Sequence, residues 1–237
     1  MRACMKARFL STFVPALVLG TSLTVSALAA PPQTPAQELR LDQVHQRFGP
    51  AATVRWDATG TAPKRLGGLH VATAGHDAGE RAVGFVRGAR DLLALGDGDV
   101  TVLGTRAMTG RTSVELRPTW RGLPVEGRTV VVTLDAHDQV TSVTSDLGPL
   151  AVVAPSQPIS AEAAQAAIQA RYSVSSLGTP SQVVLATAVA GRLAWKVPVV
   201  VIPLTAHFTV WVDAADGSIL REAPVSSDQA MKTLPRR

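Results

Sequence analysis

The chain has 237 residues, of which 46% are hydrophobic, 17% charged and only 4% aromatic. That balance excludes an intrinsically disordered chain and leaves length for one or two domains with a core of Val, Leu and Ala rather than rings. The net charge is +5, and a single cysteine, Cys4, excludes an intrachain disulfide.

Residues 1–30 read as a secretory signal peptide. Arg2, Lys6 and Arg8 precede an apolar run from Phe9 to Val25, and Ala27-Leu28-Ala29 supplies a small-residue cleavage site, with processing expected at Ala29 and Ala30. The apolar run is short for a membrane span, and no lipobox cysteine follows it, so a secreted or periplasmic protein without a stable membrane anchor is expected. Cleavage would remove three basic residues and no acid, lowering the net charge from +5 to +2, and would remove Cys4. Such a chain depends on burial alone for its stability.

Residues 31–37 are proline-rich and predict an extended lead-in. Leu41, Val44 and Phe48 then share one face of a short helix from Glu38, stopped by Gly49-Pro50. Thr53 to Asp57 alternates as a strand, and the glycine-bearing stretch 60–68 reads as a loop or kinked strand. Glu80 to Leu95 is the clearest helix of the first half, with Ala82, Phe85, Val86, Ala89, Leu92 and Leu93 on one stripe. Strands follow at Val100–Leu103 and Thr112–Pro118. Trp120, Gly122 and Pro124 mark a turn, and Val130–Leu134 and Val140–Thr144 form a hairpin around the polar turn Asp135–Gln139.

Pro149, Pro155 and Pro158 mark a linker at 149–158. Ser160 is placed to cap an Ala-rich helix running to about Tyr172. Strands are expected at Val183–Ala186, Leu193–Val201 and Phe208–Asp213, with Pro198 requiring a bulge or an edge. Asp216-Gly217 is a hairpin signal leading to a return strand at Ser218–Leu220. Pro224 to Arg237 is a polar, basic tail.

Two resemblances emerge. Trp120 followed by Gly122-Leu123-Pro124-Val125-Glu126-Gly127, the Val-rich strand and the Val-Thr-Ser-Val strand resemble the end of the fungalysin/thermolysin propeptide domain, the prosegment of secreted zinc metalloproteases. The family usually has Tyr at the position of Trp120 and Gly within the 135–139 turn, and this chain has neither. The helix and strands of the second half, with Leu193-Ala194-Trp195-Lys196-Val197 and Phe208-Thr209-Val210-Trp211-Val212-Asp213, resemble a PepSY domain, which follows the first prosegment domain in such precursors. The resemblance implies an α+β fold of two small lobes, each an antiparallel sheet packed against a helix. The expected boundaries are a lead-in with a short helix at 31–51, a propeptide-like domain at 52–148, a linker at 149–158, a PepSY-like domain at 159–223 and a tail at 224–237.

The residues that carry chemistry are sparse. A thermolysin-like enzyme needs two histidines one helical turn apart with a glutamate beside the first. None of His45, His70, His76, His137 and His207 is followed by Glu, and no two are four apart. His76 with Glu80 reads as a surface pair, and Asp135, His137 and Asp138 read as a solvated turn rather than a metal cluster. Gly96-Asp97-Gly98-Asp99 lacks the downstream acids of a calcium loop. No Gly-x-Ser-x-Gly occurs, so neither an enzyme nor a cofactor is expected. Arg117, Arg121 and Arg128 are interleaved with Glu115 and Glu126, which argues against nucleic-acid binding.

By resemblance, the expected function is binding of a secreted zinc metalloprotease of the thermolysin type, as inhibitor or folding assistant. The expected contact residues are Trp120, Arg121 and Arg128. Two alternatives remain: an N-terminal remnant or fragment of a protease precursor, and an envelope module binding peptide or polysaccharide.

Overall fold

The computed structural model describes residues 34–187, 190–202 and 206–225. The expected signal segment with Ala29 and Ala30, and the tail beyond Val225, lie outside the described residues.

The first helix, α1 (Pro35–Phe48), begins earlier than expected. Thr34 accepts the Gln37 backbone N–H, and the Gln37 side chain accepts the Thr34 N–H at 2.8 Å. This capping box, with Pro35 opening the helix, makes part of the expected extended lead-in helical. Strands β1 (Thr53–Trp56), β2 (Pro63–Gly67) and β3 (Val71–Ala72) follow. Helix α2 (Ala78–Gly88) is capped by Asp77. It ends sooner than the apolar stripe suggests: Ala89, Leu92 and Leu93 stay buried, but on turns that close with Ala94 at φ +54° and Gly96 at φ +60°.

Next come β4 (Asp99–Met108), β5 (Arg111–Trp120), β6 (Leu123–Glu126), β7 (Val130–Asp135) and β8 (Gln139–Ser145). The expected linker contains a short strand, β9 (Val152–Val153), and α3 (Ala161–Arg171) starts behind the Ser160 cap as expected. The chain closes with β10 (Val174–Leu177), β11 (Ser181–Ala186), β12 (Gly191–Val201), β13 (Ala206–Asp213) and β14 (Ile219–Pro224). Strand β14 takes in Pro224, which the sequence assigns to the tail.

The expectation of two small lobes, each with its own antiparallel sheet, is wrong. The strands form one mixed, 14-stranded sheet in the order β1-β2-β8-β7-β5-β6-β11-β12-β13-β14, with β4 on β5, β3 on β8, and β9 and β10 on β12. The physical reason is β6. Its first two residues pair antiparallel with β5 through Thr119↔Pro124 and Trp120↔Leu123, and its last two pair parallel with β11 through Val125↔Val184 and Glu126↔Leu185. A four-residue strand that would otherwise leave open backbone groups thus joins the two halves.

Helices still cover the sheet locally, so the α+β content holds in outline. Val44 of α1 and Ala82, Phe85 and Val86 of α2 pack on Val114, Leu116, Val130, Val132, Leu134 and Val143. Ala164 and Ile168 of α3 pack on Val197, Val199, Val210 and Val212. A third cluster, with Val183, Leu185, Ala194 and Trp211, lies on the other face of the second region. Strand alternation places Trp211 there, because Val210 and Val212 on either side point to α3.

Pro198 produces neither a bulge nor an outer edge. Its register with β13 runs uninterrupted through Pro198↔Thr209, in the interior of the sheet. It sits where the last β10 pair, Leu177↔Val199, gives way to the first β11 pair, Ser181↔Lys196. The Pro198 carbonyl accepts the Gly178 N–H at 2.8 Å, so the proline nitrogen faces the same gap and no ladder donor is missed. Gly178 fits because a Cβ there would lie 2.9 Å from the proline ring.

One ion pair ties α2 to β4. Arg87 donates from Nε and Nη2 to the two Asp99 carboxylate oxygens, each at 2.7 Å. The hydrogen bond from Arg87 is the main cause holding the Asp99 carboxyl below its ordinary value. A depressed carboxylate contributes stability above its unfolded value, near 4, and loses it as the pH falls through the folded value. Both side chains are half exposed, so the worth is within about 0–1 kcal/mol. We therefore expect Asp99→Asn to lower the urea midpoint at pH 7 slightly, with the gap from wild type narrowing below about pH 4. A gap that widens in acid would contradict the assignment.

Candidate partner-binding cleft

The site forms where β5 turns into β6. Trp120 pairs with Leu123 across a loop of Arg121 and Gly122, whose φ values are +49° and +79°. Positive φ at both central residues is the condition of the type I′ hairpin turn, which follows the twist of the strands it joins. The turn leaves Arg121 exposed, with its guanidinium carbon 4.6 Å from the centre of the Trp120 ring. Trp120 itself is half-buried.

The chain then leaves β6 through Gly127, at φ +86°, and Arg128 lies two residues before β7. Arg128 is half-buried and donates from Nη1 to the carbonyl of Gly148, the residue just before the expected linker. Burial pushes the Arg128 guanidinium below its ordinary value without bringing it near neutrality at physiological pH. Among the described residues it makes no ion pair.

Trp120 and Arg128 line one cavity of about 140 Å³. Its walls come from the loop after α2 (Leu95–Gly98), the end of β5 (Pro118 and Thr119), Val125 of β6 and the segment Leu147–Leu150. The loop wall is held by Arg90, whose Nη2 donates to the Gly96 carbonyl at 2.8 Å and the Gly98 carbonyl at 2.9 Å. Gly98 has no room for a side chain, since a Cβ would meet the Thr119 carbonyl at 2.8 Å. Two of the three expected contact residues thus share a cleft, while Arg121 stands outside it on the Trp120 ring.

The nearest strong electrostatic feature lies at the same junction. Glu126 of β6 receives Lys196 of β12 at 3.0 Å and faces Arg117 of β5 at 3.7 Å. Its side chain is only 14% exposed, so this contact bridges the two halves in a partly desolvated setting. The sequence gives no sign of that pairing, because Glu126 and Lys196 are 70 residues apart. It also misses the cleft walls at Gly98 and Leu147–Leu150, which only the sheet brings to Trp120.

The other candidates resolve as structural features. The His76 backbone N–H donates to Glu80 Oε2 at 2.8 Å, a loop-to-helix contact that does not involve the imidazole. Asp135 Oδ1 accepts the backbone N–H groups of His137 and Gln139, and Asp138 pairs with Arg81 at 2.7 Å, so this trio forms a hairpin turn. Asp99 of the half calcium loop is taken by Arg87. Among the described residues no group of three His, Cys, Asp or Glu side chains could hold a metal ion, and no helix is long and apolar enough to cross a membrane. Trp195 donates to the Ile159 carbonyl at 3.0 Å, and Trp211 is 5% exposed beneath Lys196 and Arg221. Both are packing residues.

Residues 105–147 match the fungalysin/thermolysin propeptide motif. The match runs from the outer half of β4 to just beyond β8 and includes Trp120, Arg121 and Arg128. No curated protein matches the sequence. Among solved structures, the chain is similar to the YpeB C-terminal domain of Bacillus megaterium, at 9% identity and a TM-score of 0.40, covering 81% of this chain and 97% of that one. It is also similar to the YpmB protein of Bacillus subtilis, at 18% identity and a TM-score of 0.26, covering 65% of this chain and 100% of that one. Neither score is high enough to carry a function across.

Proposed function

We propose, from a chain that carries the fungalysin/thermolysin propeptide motif over residues 105–147, that this protein is an exported, non-catalytic prosegment-like partner of a thermolysin-like zinc metalloprotease. It acts by binding, as inhibitor, folding assistant or both. The motif match is the observation that carries the reading. The cleft at the β5–β6 turn lies within and beside the matched segment, and Trp120, Arg121 and Arg128 are the residues we assign to contact. The PepSY resemblance of the second half fits the same precursor architecture.

The test is a titration of the protein against a thermolysin-like protease, with peptide hydrolysis followed in real time and the refolding yield of the denatured protease measured in parallel. We expect hydrolysis to slow with a stoichiometric end point, or the refolding yield to rise. No change in either would reject the function.

A further inference from the structure

Arg128 presents an imbalance that its surroundings do not resolve. A guanidinium carries five N–H donors in a rigid fork suited to a carboxylate. Arg128 uses Nη1 on the Gly148 carbonyl, and among the described residues no carboxylate lies within ion-pair distance of it. The neighbouring acid, Glu126, is committed to Lys196 and Arg117. Asp97 lines the same cavity but is exposed at its rim and makes no ion pair with Arg128. A guanidinium partly withdrawn from water binds an anion more strongly than an exposed one does, because less solvent screens the contact. Desolvation by burial depresses the guanidinium of Arg128, which agrees with that geometry.

The cavity beside it has room for a counter-charge. About 10–15 Å³ of such space admits one water, so the 140 Å³ here holds several heavy atoms. Leu95, Pro118 and Leu147 supply apolar wall for a methylene stem. Trp120 is held from outside by Arg121, so the aromatic wall is fixed before anything binds.

We infer that the Arg128 cleft receives one side-chain carboxylate, from an Asp or Glu of the partner. The acid forms charge-assisted hydrogen bonds with the free guanidinium donors, and its stem lies against the apolar wall. The inference rests on the protease reading only for the identity of the partner; the carboxylate preference belongs to the cleft itself.

The experiment follows the Arg128 Nε–H resonance and the backbone amides of Trp120 and Val125 in the ¹⁵N-labelled protein at constant ionic strength. Three probes are titrated separately: N-acetyl-glutamate methylamide, N-acetyl-glutamine methylamide and N-acetyl-alanine. The glutamate probe is expected to shift all three signals and to bind roughly tenfold to a hundredfold more tightly than its amide. In Arg128→Gln the amide shifts at Trp120 and Val125 are expected to disappear; if that variant fails to fold, the wild-type comparison of probes still decides. Equal binding of glutamate and glutamine probes, or no shift with either, would overturn the inference and leave Arg128 as a clamp on the Gly148 carbonyl. Tighter binding of N-acetyl-alanine would overturn the side-chain assignment in favour of a chain terminus. None of these outcomes depends on protease inhibition, so the cleft and the function can fail separately.

Discussion

Val125→Lys is expected to split the unfolding of this protein into two transitions and to cost about 3–5 kcal/mol, the usual penalty of a buried charge without a partner. Val125 is 1% exposed and is one of two β6 residues that pair with β11. An ammonium there meets Val184 across the parallel bridge, Arg128 lines the same cavity as a like charge, and the neighbouring carboxylate of Glu126 already serves Lys196 and Arg117. Part of the charge penalty is avoided if β6 peels away, and among the described strands β6 is the one that joins the two regions on the main path of the sheet. Differential scanning calorimetry distinguishes the outcomes. One transition shifted by less than about 1 kcal/mol would mean that β6 carries little of the connection.

Ile168→Ala is the second large effect. Helix α3 buries only Ala164 and Ile168, so one side chain anchors it on Val197, Val199, Val210 and Val212. Ile168 is fully buried, and truncating a buried isoleucine costs about 2–5 kcal/mol, more where the site cannot collapse. The strands beneath are held by long ladders, as in the eight β12–β13 pairs, so the cavity cannot close by moving them. For a chain of this length the melting temperature should fall by roughly 5–15 °C, with an early loss of helical circular dichroism. An unchanged melting temperature would show that α3 is not held by this contact.

These two positions mark what the sequence could and could not reveal. Ile168 sits in a helix whose cap, Ser160, and Ala-rich run are local signals, and α3 appears where they place it. The Val130–Leu134 strand shows its buried alternation, Val130, Val132 and Leu134, in the residues themselves. Val125 has no such signal. Gly122 and Pro124 make β6 look like part of a turn, and its parallel partner lies some 60 residues away, so the strand exists because β11 completes it. The expectation of separate lobes failed for that reason: local patterns identify elements, whereas sheet continuity depends on edges that periodicity does not encode. Helix α2 failed differently. Its apolar stripe continues past Gly88, but left-handed residues at Ala94 and Gly96 bend the same buried side chains onto turns. Strand β10 was missed because Val174-Ser175-Ser176-Leu177 is too short and polar to stand out.

The site was partly legible. Trp120, Arg121 and Arg128 came from the motif, and two of them do share a cleft. Its remaining walls come from the loop after α2 and from Leu147–Leu150, which meet only once β5, β6 and β7 are assembled.

Amide hydrogen exchange across residues 121–128, read against β5 and β11 in the same sample, tests most directly whether β6 stitches the sheet into one body with the cleft at its seam. The amides of Val125 and Glu126 should exchange slowly, with an opening free energy close to those of Val114 and Val184. Fast, loop-like exchange at Val125 and Glu126, while both flanking regions stay protected, would contradict the account.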